Sequence, residues 1–243
     1  MEDSRVCLMY HDIVTADNTS SGFQNESAFQ YKVQDHLFEE QVKQLKDQDV
    51  VFTFDDGGES FLTVAAPILE KYSQRGIFFI ATKYIGTPGF LTEEQVLELH
   101  RRGHIIGSHT NTHPKDISKA SVKVIEEEWS SSLIILSNIL GEAVKYASIP
   151  NGNGSKTVYE CARKAGITEL YTSVPTNKVN QEEGLSIYGR YVVHNNSDIV
   201  RVSKIATDRK FRKKEYKKWL MISLIKKSLG SFYKPLKKLI VKK

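Results

Sequence analysis

Val50-Val51-Phe52-Thr53-Phe54-Asp55-Asp56-Gly57-Gly58 is the stretch that decides how this chain is read. A short apolar, β-branched and aromatic run cut off by turn residues is the pattern of a buried strand. Two carboxylates side by side at its end repel one another in a low-dielectric site, an objection that a nearby cation would remove. Neighbouring strand residues point to opposite sides, so the two aspartates can do different work, one on a cation and one on water or substrate. The competing reading is an Asp-Gly turn capping the next helix.

Outward from this strand the same alternation repeats. Upstream, Val6–Tyr10 reads as a first buried strand ending at His11-Asp12, residues 15–34 as a polar loop, and Leu37, Phe38, Val42 and Leu45 as helical spacing. Downstream, Phe61–Tyr72 is a helix, Ile77–Ala81 a strand, and Thr92–Arg102 a helix opened by Thr92 with Glu94-Gln95 and stopped at Gly103. A strand begins at Ile105-Ile106, and a long helix covers about Ser118–Leu140. The order continues with a strand near Val144–Ile149, a loop at Pro150–Gly154, a helix over Thr157–Lys164, and strands near Leu170–Ser173 and Ile187–Val193. Strands alternating with helices imply a mainly parallel α/β sheet with right-handed crossovers, open or closed as a barrel. Polar clusters follow the strands, where such folds carry their sites.

The second cluster is His109-Thr110-Asn111-Thr112-His113-Pro114. A lone histidine is usually a satisfied polar residue. Two of them four apart after a strand can face one cation if the segment is helical or tightly turned. With one carboxylate they make a two-His, one-carboxylate set with open positions, a catalytic arrangement, because structural zinc takes four protein ligands.

Thr53-Phe54-Asp55-Asp56-Gly57 and His109-Thr110-Asn111-Thr112-His113 together resemble the first two motifs, T-F-D-D-G and H-[ST]-x-x-H, of the polysaccharide deacetylase family, carbohydrate esterase family 4 with its NodB-homology domain. The resemblance spans about residues 5–200, and Val6–Asp12 is similar to the opening strand of many members. It implies a distorted (β/α) barrel and one divalent metal, usually zinc, held by Asp56, His109 and His113. Asp55 is then the general base.

The chain departs from the family elsewhere. The third motif, R-x-P-[FY]-G, stands here as Ser148-Ile149-Pro150-Asn151-Gly152, so the arginine that orients the base is missing. Pro150 and Gly152 keep the loop, and the Asn151 N–H is the candidate oxyanion donor. Arg190 can supply the missing charge; otherwise it is a surface strand residue. Val192-Val193-His194 is the late match to the motif that carries the general acid, which makes His194 the candidate, against a plain loop histidine. The fourth motif has no counterpart. His11 reads as structural, near the barrel mouth, and His36, His100 and His104 as helix or boundary residues.

The chain has 243 residues, 40% of them hydrophobic and 26% charged, an ordinary balance for one globular domain. Its net charge of +5 hides two parts. Residues 209–243 hold 14 Lys or Arg against Glu215, a local +13, and the 20 bases and 28 acids before them leave −8. Residues 1–208 are therefore expected to be the catalytic domain and 209–243 a basic amphipathic tail. Lys210–Ile225 mixes basic clusters with Trp219, Leu220, Met221, Ile222, Leu224 and Ile225, a composition suited to an anionic membrane surface. No nucleic-acid partner is expected, because the body is acidic and no reader motif accompanies the tail. Met1–Arg5 does not have signal-peptide character, and Cys7 and Cys161 sit in apolar patterns as reduced core thiols. The expected location is cytoplasmic, at the inner membrane face.

The activity expected from the resemblance is removal of acetyl groups from an amino-sugar-containing polysaccharide or lipid-linked glycan precursor. The alternatives are hydrolysis of a non-sugar amide on the same scaffold, or a catalytically impaired carbohydrate-binding domain.

Overall fold

In the computed structural model, which describes residues 5–16 and 20–229, the chain opens with β1 (Val6–Tyr10), β2 (Ile13–Val14), α1 (Glu26–Phe29), β3 (Val33–Gln34) and α2 (Asp35–Leu45). β4 (Val50–Phe54), α3 (Ala66–Lys71), β5 (Gly76–Ile80), α4 (Glu93–Arg101), β6 (Ile105–Ser108) and α5 (Val122–Leu140) follow. The chain continues through β7 (Tyr146–Ser148), α6 (Lys156–Lys164), β8 (Glu169–Tyr171), β9 (Asn180–Glu182), β10 (Leu185–Tyr188), β11 (Tyr191–Val192), α7 (Ile199–Thr207) and α8 (Arg209–Leu229).

Local chemistry accounts for several boundaries. Thr92 and Gln95 form a reciprocal capping box at the start of α4. The long helix begins at Val122, not near Ser118, because Ser121 caps it; Ile117–Lys119 form a separate tight turn. Gly141 ends that helix in the left-handed region, with φ 74°. The helix expected from Phe61 starts as a wider π turn over Phe61–Ala65. Pro67, inside its first α turn, has no N–H to give to the preceding turn.

The main sheet runs β11-β1-β4-β5-β6-β7-β8-β10-β9, with every pairing parallel except the edge pair β9–β10. The single strand expected over Ile187–Val193 is two strands. β10 pairs with β8 at one end of the parallel run, whereas β11 pairs with β1 at the other. One stretch of chain therefore joins both ends of the curled sheet, and the break falls at Gly189-Arg190. A Cβ at Gly189 would lie 2.4 Å from the Val174 carbonyl oxygen, so only glycine permits this crossing. The result is the distorted (β/α) barrel expected from the sequence.

Aromatic packing fills the space between sheet and helices. Phe54 stacks on Phe78 at 4.8 Å and on Tyr10 at 5.5 Å, and Phe38 and Phe61 are fully buried around them. Cys7 and Cys161 are buried free thiols, and burial pushes the Cys7 thiol up to about 12.

α8 lies against α7. Arg201 pairs with Glu215 at 2.9 Å, and Arg212 Nη1 donates to the last carbonyls of α7, those of Ile205 and Ala206. Tyr216, Leu220, Met221, Leu224 and Ile225 are exposed on the opposite side. No helix of the described residues is long and apolar enough to cross a membrane. The basic positions expected between 230 and 243 lie outside the described residues.

Candidate metal and catalytic site

β4 and β6 deliver both clusters to the same end of the barrel, because β5 alone separates them in a parallel sheet. Asp55 N–H still bonds to the Tyr10 carbonyl in strand fashion. Asp56 then departs from the strand with φ 90°, so the two carboxylates are separated by a backbone turn and not by strand alternation. The turn needs room: a Cβ at Gly58 would stand 2.0 Å from Asp12 Oδ1.

The histidine segment is a tight turn, not a helix. Thr110 and His113 have φ 64° and 56°. Such conformations cost about 1–3 kcal/mol each and persist where surroundings over-determine them. Glu128, from α5, supplies that constraint. Its carboxylate accepts from the N–H groups of Asn111 and Thr112 and from the Thr112 hydroxyl at 2.5–2.9 Å. Glu128 belongs to no sequence motif, and its signal is an acid on the apolar, core-facing side of a long helix.

Three donor atoms, one each from Asp56, His109 and His113, converge within 4.8 Å of one another. Asp56 Oδ1 lies 3.4 Å from His109 Nε2 and 3.3 Å from His113 Nε2. It is nonetheless buried without a hydrogen-bond partner. Metal–ligand distances of 2.0–2.1 Å at tetrahedral angles put neighbouring donor atoms about 3.3 Å apart, so these spacings suit a shared cation better than a hydrogen bond. His109 Nδ1 lies 3.1 Å from the Ser148 carbonyl and 2.6 Å from the Ser148 hydroxyl. Donation from Nδ1 to the carbonyl leaves Nε2 unprotonated on the side facing Asp56. The residues present therefore fit one divalent cation. Burial alone would raise the Asp56 pKa, but the two imidazoles hold it well below the ordinary carboxylate value.

Asp55 faces the same space and is held differently. Arg190 grips both its oxygens, Nη1 to Oδ1 at 2.7 Å and Nη2 to Oδ2 at 2.8 Å. Arg190 also donates to Thr53 Oγ1 and to the Thr172 carbonyl, rests over the Phe79 ring, and is fully buried. It is not a surface strand residue: the break between β10 and β11 turns it inward. Burial pushes the Asp55 carboxyl up, and Arg190 and then His109 more than reverse this, leaving it below its ordinary value. Ser148, where the family carries arginine, adds a hydroxyl bond to Asp55 Oδ1 at 3.1 Å.

The cavity over these groups has a volume of about 320 Å³. Asn151 lines it with φ 56°, within the turn Pro150–Gly152, and Pro150 is buried beneath. His194 does not line it. His194 stacks on Tyr31 at 5.0 Å and faces an adjacent groove, because Ser197 bonds back to it and turns the chain away. The imidazole that does line the cavity, apart from the ligand pair, is His11, read from sequence as structural. His11 stacks on Tyr31 at 4.5 Å, and its buried Nδ1 has no hydrogen-bond partner. Its position at the very end of β1, matching Asp55 at the end of β4, was the available signal.

The polysaccharide deacetylase family model matches residues 42–170. The Bacillus cereus peptidoglycan-N-acetylglucosamine deacetylase is 32% identical over 135 residues, 53% of this chain and 45% of that protein. The Bacillus subtilis peptidoglycan-N-acetylmuramic acid deacetylase PdaA is 27% identical over 143 residues, 57% of this chain and 52% of that protein. The chain spans about half the length of the curated relatives it matches. Among solved structures, Streptococcus pyogenes deacetylase PplD in complex with acetate superposes with a TM-score of 0.69 and 23% identity, covering 83% of this chain and 97% of that one. BC0361, a polysaccharide deacetylase from Bacillus cereus, gives 0.71 and 21%, covering 83% and 68%. At these identities the superpositions speak for the fold. The family match covers more than half of the chain and takes in Asp55, Asp56, His109 and His113, so the chain belongs to the polysaccharide deacetylase family.

Proposed function

We propose that this protein is a metal-dependent hydrolase that removes acetyl groups from an amino-sugar-containing polysaccharide or lipid-linked glycan precursor. The carrying observation is the pairing of two buried carboxylates in one cavity: Asp56 in a donor set with His109 and His113, and Asp55 apart from it in the grip of Arg190. The two peptidoglycan deacetylases it resembles support an acetylated sugar as the substrate class.

Asp56, His109 and His113 would hold one cation, with zinc favoured by two imidazoles, one carboxylate and open positions. When bound, the cation supplies Lewis acidity, polarising the acyl carbonyl and making water a stronger acid. Asp55 accepts the proton from the attacking water. Arg190 and Ser148 fix both its oxygens and keep it ionised, which makes it a modest base on its own. The Asn151 N–H on the cavity wall stabilises the developing oxyanion. His11 donates the proton to the departing amine or alcohol, a role the sequence assigned to His194. Release of acetate from N-acetylglucosamine oligomers and peptidoglycan, lost on chelation and regained with zinc, is the expected result; no acetate from any acetylated glycan overturns the reading.

Residues 1–208 act as the catalytic unit and 209–243 as a basic extension, which we place at an anionic membrane surface on the cytoplasmic side. Support comes from Leu220, Met221, Leu224 and Ile225, exposed on the same helix as Lys213, Lys214, Lys217 and Lys218. Salt-sensitive co-sedimentation with anionic but not neutral vesicles tests this.

A further inference from the structure

A second groove, of about 380 Å³, borders the catalytic cavity and shares Ser173 and Val192 with it. Its walls include His194, Asn196, Arg201, Glu215, Lys218 and Trp219. All six lie beyond residue 170, where the family match ends, and Glu215, Lys218 and Trp219 stand on α8.

α8 builds the outer wall. Glu215, Trp219 and Ile222 recur at helical spacing and turn toward the body, and Phe211 one turn earlier packs against the core. The Arg201–Glu215 pair at 2.9 Å ties α7 to α8 beside the groove. Arg201 and Glu215 neutralise one another there, and with Asn196 they give the wall both donors and acceptors, which suits neutral hydroxyl groups. An indole beside forked donors and acceptors offers a sugar ring its apolar face and its rim together. The groove and the catalytic cavity meet at Ser173 and Val192, with volumes of about 380 and 320 Å³, so neighbouring sugars of one chain can lie one in each.

We propose that this groove is a second sugar-binding subsite, taking the residue next to the one deacetylated, with Trp219 as its packing platform. It rests on the deacetylase reading above and makes the preferred substrate an oligomer. Acetylated single sugars then occupy only the catalytic cavity, and chain length is sensed by α8.

The experiment uses the full chain and two probes, N-acetylglucosamine and its β-linked tetramer. The chain has two tryptophans, Trp129 and Trp219, and Trp129 is fully buried, so a change in emission on adding sugar reports Trp219. The tetramer is expected to shift that emission saturably and the monomer to leave it unmoved. The ratio of tetramer to monomer kcat/KM is expected to fall roughly tenfold in Trp219→Ala, the size of one packed aromatic contact, and to be kept in Trp219→Phe. Unmoved emission with the tetramer, or an unchanged ratio in a folded Trp219→Ala, overturns the subsite. If wild type releases no acetate from any acetylated glycan, the deacetylase reading fails, and the emission titration still decides the groove.

Discussion

Asp55 and Arg190, 135 residues apart in the chain, meet as a buried two-pronged ion pair with Nη1–Oδ1 at 2.7 Å and Nη2–Oδ2 at 2.8 Å. Neither side chain has appreciable contact with water, so each is the other's main compensation. Removing Arg190 leaves a buried carboxylate without its cation, a loss of about 3–5 kcal/mol. Arg190→Met should lower unfolding stability by that order in denaturant titrations. Arg190→Lys should recover only part of it, because a point charge cannot reproduce the fork. A loss under about 1 kcal/mol for Arg190→Met would show that Ser148 and His109 suffice to compensate Asp55.

The two aspartates should separate by readout. Asp55→Asn is expected to lose roughly 10²-fold or more in acetate release while keeping its metal, since its assigned work is proton transfer. Asp56→Asn, His109→Ala and His113→Ala should lose metal, measured by elemental analysis of purified protein. Metal retained in both histidine variants removes the donor set from consideration.

His11 and His194 also part company. His11 lines the cavity and His194 faces the neighbouring groove. His11→Gln should lower kcat by roughly 10²-fold, the usual scale of general acid catalysis. His194→Gln should alter KM for oligomers more than kcat. The reverse pattern, with kcat collapsing only in His194→Gln, would return the acid role to His194.

A pH effect is expected far from the site. His104 Nδ1 accepts from Gly76 N–H, and Nε2 faces Glu70 at 2.9 Å, so the buried ring is held neutral. Burial lowers its pKa despite Glu70. Between that lowered value and about 6.5 the unfolded chain binds more protons than the folded one, so stability rises with pH through this window and levels off above it. Melting temperatures of wild type minus those of His104→Gln, followed from pH 7 to 5, should fall as the pH drops. A flat difference would mean that His104 does not titrate between the two states.

Much of the barrel was legible because its causes are local. Val6–Tyr10 and Val50–Phe54 begin and end where the apolar runs do, and Thr92 and Gly141 mark helix ends through their own hydrogen bonds and backbone freedom. The elements that escaped lack such local causes. β2 and β3 are two residues long, β9 is polar and exposed, and α7 rests on a cap by Asp198 and packing by Val202 and Ile205.

The candidate site divides along the same line. Asp55-Asp56 and His109–His113 are short-range patterns, each at the end of a strand, and parallel order alone brings β4 and β6 to one rim. That was determined by the sequence itself. Only the tertiary structure decided that Arg190 reaches Asp55, because this depends on one segment splitting at Gly189-Arg190 to pair with β8 on one side and β1 on the other. It likewise decided that His11 and not His194 enters the cavity. The two follow adjacent strands, β1 and β11, with Val193 N–H bonded to the Met9 carbonyl. Beyond that last pairing, side-chain direction is set by where each loop turns next, and a turn made by contacts between residues far apart in the chain leaves no periodic trace in the residues that carry it.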